Sequence, residues 1–192
     1  MIELRYPFDE QSVRSLKAGD AVSITGRIYT GRDKFHKYFA DGGKPGIDFR
    51  DGALYHCGPV CVFDSAAERP AWKVVAAGPT TSVRENPYEP DFIAKSGVRL
   101  IIGKGGMDAD TLAAMKRYGC VYIQAVGGAA ALSAAAVKRV AGVSFLDEFG
   151  AAEAVWHFDV VGFRGVVAMD AHGRSLFDEV RISSQVRLGK MI

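Results

Sequence analysis

The sequence has little cysteine, no long apolar run and no block of charge of one sign. Its three cysteines, Cys57, Cys61 and Cys120, are an odd number, which argues for reduced thiols rather than a disulfide framework. Cys57 and Cys61 flank Gly-Pro-Val, a spacing that matches no common zinc pattern, and no nearby histidine pair would complete a tetrahedral site. We therefore expect the thiols to be buried as small apolar side chains, and we expect this chain to hold no metal.

No apolar run approaches the length of a membrane span, and the first residues, MIELRYPFDEQS, lack the apolar core of a secretion signal. The 24 basic and 22 acidic side chains are interspersed, with a formal net charge of +2. We therefore expect a cytoplasmic protein that has neither nucleic acid nor a membrane as its partner.

Nothing in the sequence divides the chain into parts. It has no repeats, no low-complexity segment and no long Ser/Gly-rich linker. With 48% apolar and 24% charged residues, a chain of 192 residues can bury a substantial core. Residues 1–192 are predicted to form a single domain.

Hydrophobic periodicity predicts an α/β fold. The first part of the chain is predicted to contain a short helix over Asp9–Leu16, a strand over Ala21–Tyr29, a helix over KFHKYF and a strand over Ala53–Phe63. From Trp72 onward, apolar strands alternate with glycine-containing loops and helices in WKVVAAG, VRLIIG and CVYIQAV, which is the rhythm of parallel β/α units. The intervening helices are predicted over Pro87–Lys95, Asp108–Tyr118 and GAAALSAAAVKRV.

The end of the chain has a different pattern. After Gly150 it reads VWHFDVVGF and then GVVAMD-AHG-RSLF, strand-like runs with a predicted Asp-Ala-His-Gly turn. These runs predict antiparallel strands beside the parallel middle. The sequence leaves two arrangements open, an α/β domain with more than one sheet or a mixed sheet that curls partly into a barrel.

Three loops at predicted strand ends carry side chains suited to a small anion. The first runs from Gly78 to Arg84 and places hydroxyl groups before an arginine, whose guanidinium can fork onto a carboxylate. The alternative for this loop is a helix N-terminus capped by Thr or Ser.

The second loop, Gly103 to Met107, has glycines that leave backbone N–H groups free for an anion. It lacks the Gly-Lys-Ser/Thr ending of a nucleotide P-loop, and a tight turn with a solvated lysine is the alternative. The third loop, Thr30 to Asp33 with His36 behind it, is weaker evidence. Arg32 paired with Asp33 or a surface acid, and His36 packed or solvated on a helix, are the more frequent outcomes.

Taken together, these segments resemble a known family. TGRD with its following histidine, AGPTTS with its arginine, and GKGGM occur in the order and spacing of the C-terminal domain of class I fumarases. They also resemble the β subunit of two-subunit fumarases and L-tartrate dehydratases. The similarity includes the stretches Tyr55-His56-Cys57-Gly58-Pro59, Gln124-Ala125-Val126-Gly127-Gly128 and Glu148-Phe149-Gly150.

The resemblance implies a swivelling β/β/α-type domain, with parallel β/α units and additional antiparallel strands, that closes over a cluster-bearing α subunit. The implied activity is the reversible hydration of fumarate to (S)-malate, by an enzyme active only when both subunits are present. The oxygen-sensitive 4Fe-4S cluster would be held by the partner, where its open iron acts as a Lewis acid on the substrate hydroxyl. Homodimerisation or an α2β2 assembly is expected.

The resemblance also implies which residues reach the dicarboxylate. The matching positions are Arg32, Thr80, Arg84 and Lys104, with Thr80 and Lys104 as the catalytic pair and Thr80 as the candidate proton acceptor. The neighbouring Thr81 is a further candidate for substrate binding, and its role is open. Removing a proton α to a carboxylate builds a second negative charge on that carboxylate, so pre-positioned cations would stabilise the transition state. The family tends to have Met where this chain has Glu85, which leaves the substrate preference open.

Three other functions remain to be distinguished from fumarate hydration. The chain could be the β subunit of an L(+)-tartrate dehydratase, since substrates that differ by one hydroxyl can share the same cationic contacts. It could also be a non-catalytic module that recognises a dicarboxylate. A nucleotide-binding domain is the third, and the GKGGM loop does not support it.

Overall fold

The computed structural model describes residues 1–66 and 71–190. Its strands are β1 (Ile2–Arg5), β2 (Ala21–Thr30), β3 (Ala53–Tyr55), β4 (Val60–Asp64), β5 (Ala71–Ala76), β6 (Leu100–Gly103), β7 (Val121–Gln124), β8 (Val137–Ser144) and β9 (Val155–Met169). Its helices are α1 (Glu10–Ser15), α2 (Asp33–Ala40), α3 (Glu89–Ser96), α4 (Ala109–Tyr118), α5 (Ala130–Ala136), α6 (Leu146–Phe149) and α7 (Leu176–Leu188). A 3₁₀ helix, Ser82–Glu85, precedes α3.

Seven strands form one mixed sheet in the order β1-β2-β3-β6-β7-β9-β8, and β2 also pairs with β9. The strands β1, β2, β3, β6 and β7 are parallel, whereas β9 runs antiparallel to β2, β7 and β8. Because the β2–β9 pairing joins distant parts of this order, β2, β3, β6, β7 and β9 close into a barrel-like ring. The predicted α/β fold is confirmed, and both proposed arrangements hold, because β4 and β5 form a second, two-stranded sheet.

The sheet buries apolar side chains on both of its faces. Along β6, Leu100 and Ile102 belong to one buried cluster and Ile101 to another, as expected when successive side chains point to opposite faces. The first cluster includes Trp156 and Phe158 from β9, and the second includes residues of α2, α3 and α4. This two-sided burial explains why β6 and β7 are almost continuously apolar in sequence.

The parallel strands place their C-terminal ends at one edge of the sheet. The Arg32 loop follows β2, the His56 stretch follows β3, and the Lys104 loop follows β6. Ligands of open α/β sheets bind at this kind of edge.

Two predictions for the middle of the chain are wrong in part. The strand predicted over Ala53–Phe63 is two strands, β3 and β4, interrupted where Gly58 and Pro59 break the ladder. WKVVAAG forms β5, but β5 pairs antiparallel with β4 rather than joining the parallel series. The sequence pattern of β5 is like that of a parallel strand, and only its pairing with β4 shows that it is antiparallel.

The predictions for the C-terminal part also need correction. The Ala-rich segment is helical only as α5, and its valines then continue as strand β8, in keeping with their β-branched side chains. The runs VWHFDVVGF and GVVAM form one long strand, β9, and the turn that follows is as predicted. RSLF is not a strand, because Ser175 caps helix α7 by accepting from the Asp178 N–H.

No helix among the residues described is both long and apolar enough to cross a membrane.

Candidate functional site

Backbone hydrogen bonds join the loop after β5 to the loop after β6. The Ser82 N–H donates to the Lys104 carbonyl at 3.0 Å, and the Lys104 N–H donates to the Thr80 carbonyl at 3.3 Å. Thr81 and Lys104 thereby form a parallel bridge outside the named strands. Two of the three predicted anion-binding loops therefore lie side by side.

The Arg84 side chain connects these loops to the third. Its Nη2 donates to Asp33 Oδ2 at 2.8 Å and to Thr80 Oγ1 at 3.3 Å. Asp33 Oδ2 also lies 3.9 Å from Arg32 Nη2. All five predicted site residues consequently belong to one continuous set of contacts at the sheet edge.

Arg32 is held by groups that leave one of its donors unused. Its Nη1 donates to the Ala152 carbonyl at 3.3 Å, and its Nη2 lies 3.3 Å from Glu153 Oε1. The pairing with nearby acids expected from the sequence is confirmed. Arg32 Nε is buried and has no hydrogen-bond partner among the residues described.

Lys104 is a cation without a partner among the residues that the structure describes. Its ammonium forms no ion pair or hydrogen bond with the described part of the chain, although the side chain is only partly exposed. Gln124 Oε1 accepts from the neighbouring Gly105 N–H at 3.2 Å and so fixes the loop. An ammonium that has no acid partner is available to an incoming anion.

A buried polar network lies behind these loops and was not predicted. Its six members, all fully buried or nearly so, are His36, His56, Ser82, Glu85, Glu89 and Tyr122. Glu89 Oε2 lies 3.0 Å from His36 Nε2 and 3.2 Å from His56 Nε2. Ser82 Oγ lies 2.9 Å from His56 Nδ1 and 2.9 Å from the Tyr122 hydroxyl.

The network alters the pKa values of its members. Burial alone would raise the pKa of Glu89, but His36 and His56 outweigh burial and lower it. Burial alone would lower the pKa of His36, but Glu89 and Glu85 raise it overall, whereas burial prevails at His56 and lowers its pKa. Burial raises the pKa of Glu85 to about 7. The lowered pKa keeps Glu89 ionised at neutral pH, and the charge of Glu89 raises the pKa of His36.

In the part of the chain that the structure describes, His36, His56 and Glu89 also form the group that could hold a metal, since one donor atom from each lies within 4.8 Å of the others. The cysteines do not join this group. Cys57 and Cys120 are buried as predicted, whereas Cys61 is partly exposed. The sequence signal for the network was slight, because its histidines and acids are distant in the chain and each has an ordinary structural use.

Comparison with known proteins identifies relatives over nearly the whole chain. A family model described as the fumarase C-terminus matches residues 1–180. The chain is 48% identical over 190 residues to a putative fumarate hydratase class I of Geobacillus stearothermophilus, covering 99% of this chain and 36% of that protein. It therefore spans about a third of the length of that relative.

Two further relatives are similar in length to this chain. A putative L(+)-tartrate dehydratase subunit beta of Methanocaldococcus jannaschii is 41% identical over 199 residues, covering 98% of this chain and 99% of that protein. The L(+)-tartrate dehydratase subunit beta of Escherichia coli K12 is 30% identical over 178 residues, covering 92% and 86%.

Proposed function

The chain belongs to the fumarase C-terminus family, and from that premise we propose that it is the β subunit of a class I fumarate hydratase. In this proposal it completes a dicarboxylate site together with a cluster-bearing α subunit in the cytoplasm, as a heterodimer that pairs again into an α2β2 assembly. The observation that carries the proposal is the convergence of Arg32, Thr80, Arg84 and Lys104 at one sheet edge, where Lys104 has no ion pair within residues 1–66 and 71–190.

The cysteines of this chain do not fit a 4Fe-4S cluster. Such a cluster needs several thiolates directed at one point. Cys57 and Cys120 belong to buried clusters on different faces of the sheet, and burial raises the pKa of both thiols. We therefore assign the cluster to the α subunit, and the roles below concern only residues of this chain.

Substrate binding falls to the cations at the sheet edge. Arg84 and Lys104 would contact the carboxylate next to the carbon that gains or loses a proton, where negative charge develops during the reaction. Each such contact is worth on the order of 3 kcal/mol when it strengthens in the transition state. Arg32, held by Ala152 and Glu153, would bind the second carboxylate through its remaining donors.

Thr80 is the proposed proton acceptor. The Thr80 hydroxyl accepts from Arg84 Nη2, so its own proton is directed elsewhere. A threonine hydroxyl is a weak base, and this role requires an activating group, which we assign to an acid of the α subunit. Thr81, exposed beside Lys104, would line the entrance to the site.

The β subunit of an L(+)-tartrate dehydratase is the second candidate, supported by the relatives of similar length that bear this name. A non-catalytic dicarboxylate-binding module is the third. The three candidates differ in their need for a partner. A binding module would bind dicarboxylate tightly without one, whereas the two hydro-lyase candidates need the α subunit for turnover.

The test is anaerobic co-expression with a cluster-bearing α subunit, followed by assays of fumarate hydration and tartrate dehydration. Lys104→Ala is expected to lower turnover by about 100-fold. The matched control, Lys95→Ala, removes an exposed lysine that pairs with Asp91 and should retain activity. Turnover of tartrate alone would favour the second candidate, and turnover of neither substrate with tight dicarboxylate binding would favour the module.

A further inference from the structure

The buried network contacts all three loops of the proposed site. His36 Nδ1 lies 3.0 Å from the Arg32 carbonyl, in the loop after β2. Ser82 belongs to the loop after β5, and its N–H donates to the Lys104 carbonyl in the loop after β6. We propose that Tyr122, Ser82, His56, Glu89 and His36 form one continuous chain of contacts that locks these loops in place, with Glu89 as the central positioning residue.

The contacts at the Arg32 end of the chain hold the His36 ring. A carbonyl oxygen only accepts hydrogen bonds, so His36 Nδ1 donates to the Arg32 carbonyl. His36 Nε2 lies 3.0 Å from a Glu89 carboxylate oxygen. The His36 ring therefore joins the backbone of the Arg32 loop to Glu89.

The contacts continue to Tyr122. His56 Nε2 lies 3.2 Å from the same Glu89 oxygen, and His56 Nδ1 lies 2.9 Å from Ser82 Oγ. Ser82 Oγ in turn lies 2.9 Å from the Tyr122 hydroxyl. The chain of contacts is therefore continuous from the Arg32 carbonyl to Tyr122, with Glu89 at its centre.

Gly103 shows how closely the Lys104 loop lies against this chain. A Cβ atom at Gly103 would lie 2.0 Å from Ser82 Oγ, 3.0 Å from the Tyr122 hydroxyl and 3.3 Å from His56 Nδ1. No side chain fits between the loop backbone and the network. The position of Lys104, the next residue, therefore depends on the network beneath it.

A metal ion between His36 and His56 would explain fewer of the observed contacts than the proposed chain does. It would account for the contacts of His36, His56 and Glu89 but not for those to Tyr122 and the loops. The histidine–Glu89 contacts are short but lack aligned hydrogen-bond geometry, so we treat them as charge contacts.

The proposal rests on the proposed function only in calling these loops substrate-binding, so its main test does not use activity. Amide hydrogen exchange of the full chain is compared between wild type and Glu89→Gln. Removing the charge should speed exchange by about tenfold or more in residues 30–36 and 80–84, while β6 exchanges as before.

The matched control is Asp170→Asn. Asp170 is also a fully buried acid that accepts from the backbone of Ala18, His172 and Arg174, but it lies at the other end of the strands. Asp170→Asn should lower the free energy of unfolding and should not speed amide exchange selectively in the three loops. Ser82→Ala is a milder variant, which breaks the chain between His56 and Tyr122 and should have the same local effect as Glu89→Gln.

Unchanged loop exchange in Glu89→Gln and Ser82→Ala would overturn the proposal, and so would a uniform rise like that in Asp170→Asn. One equivalent of metal in the wild type, lost in Glu89→Gln, would overturn it in favour of a metal site. A complex that turns over neither fumarate nor tartrate would refute the proposed function, while loop-specific exchange would still support the positioning role of Glu89.

Discussion

Arg84 and Thr80 are joined directly, since Arg84 Nη2 donates to Thr80 Oγ1 at 3.3 Å while the same nitrogen donates to Asp33 Oδ2 at 2.8 Å. The salt bridge to Asp33 is almost half exposed, and such pairs contribute at most about 1 kcal/mol to stability. These contacts therefore orient the Arg84 and Thr80 side chains and contribute little to the free energy of unfolding.

Arg84→Lys tests this orientation. A lysine keeps the charge but not the planar fork, so it cannot hold the threonine and a carboxylate in the same geometry. We expect kcat/KM for fumarate to fall by about 100-fold with an almost unchanged free energy of unfolding. The control, Arg181→Lys, alters an exposed arginine that pairs with Asp178 on α7. Equal kcat/KM values in wild type and Arg84→Lys would contradict the assignment.

Gly58 controls the position of Arg32. A Cβ atom at Gly58 would lie 2.5 Å from Arg32 Nη1 and 2.7 Å from the Ala152 carbonyl that Arg32 contacts. Gly58→Ala is therefore expected to displace the guanidinium and to lower kcat/KM by about tenfold or more.

Gly127→Ala is the matched control for Gly58→Ala. Neither glycine has a positive φ, and the new Cβ at Gly127 would make an ordinary contact, 3.7 Å from Lys104 Cδ. Kinetic assays and thermal unfolding of both variants separate displacement of Arg32 from general damage. Similar kinetics in the two variants would show that Arg32 tolerates the displacement.

The three loops of the site could be predicted because each follows an apolar strand and is marked by glycine. Strand periodicity placed β2 and β6, and parallel pairing then brought the strand ends to one edge. Arg32 and Lys104 converge for this reason. Thr80 follows β5, which is outside the parallel series, and is joined to them by the hydrogen bond from the Lys104 N–H to its carbonyl. The roles of all three stay predictions.

The features that the sequence did not predict depend on contacts between distant parts of the chain. Local pattern could not distinguish β5 as an antiparallel strand, nor could it show where α5 gives way to β8. The buried network was missed for a related reason. Glu89 reads locally as an acid in the first turn of a helix, and only the folded chain reveals that it faces two histidines.

The cysteines are expected to react slowly in the native protein. The thiolate is the reactive form, and burial raises the pKa of the Cys57 and Cys120 thiols and raises that of Cys61 to about 12. At pH 8, iodoacetamide should modify Cys61 first, because it is the only partly exposed thiol of the three, and should modify the other two only after denaturation. Mass spectrometry of timed samples measures this order. Rapid labelling of Cys57 and Cys120 in the native state would contradict their burial.

Glu85 is expected to make stability depend on pH. Burial raises its pKa from 4.5 to about 7 in the folded state, so between these values the folded protein binds more protons than the unfolded chain. The favourable state, with Glu85 protonated, is fully present below about pH 4.5 and is lost as the pH rises through about 7. The free energy of unfolding should therefore fall over this interval, by an amount on the order of 2–3 kcal/mol from this group.

Glu85→Gln removes this titration while keeping the size of the side chain, so it should stabilise the protein at pH 8 and have little effect at pH 5. The groups facing Glu85 are His36, Asp33, Glu89 and Arg84, and they remain in the variant. Urea unfolding of wild type and variant at the two pH values measures the difference between them, from which titrations common to both cancel. Glu148→Gln, at an exposed position on α6, is the control and should show no such difference. An equal effect of Glu85→Gln at pH 5 and pH 8 would mean that Glu85 is already ionised at the lower pH, because a neutral carboxyl and an amide impose nearly the same cost on burial.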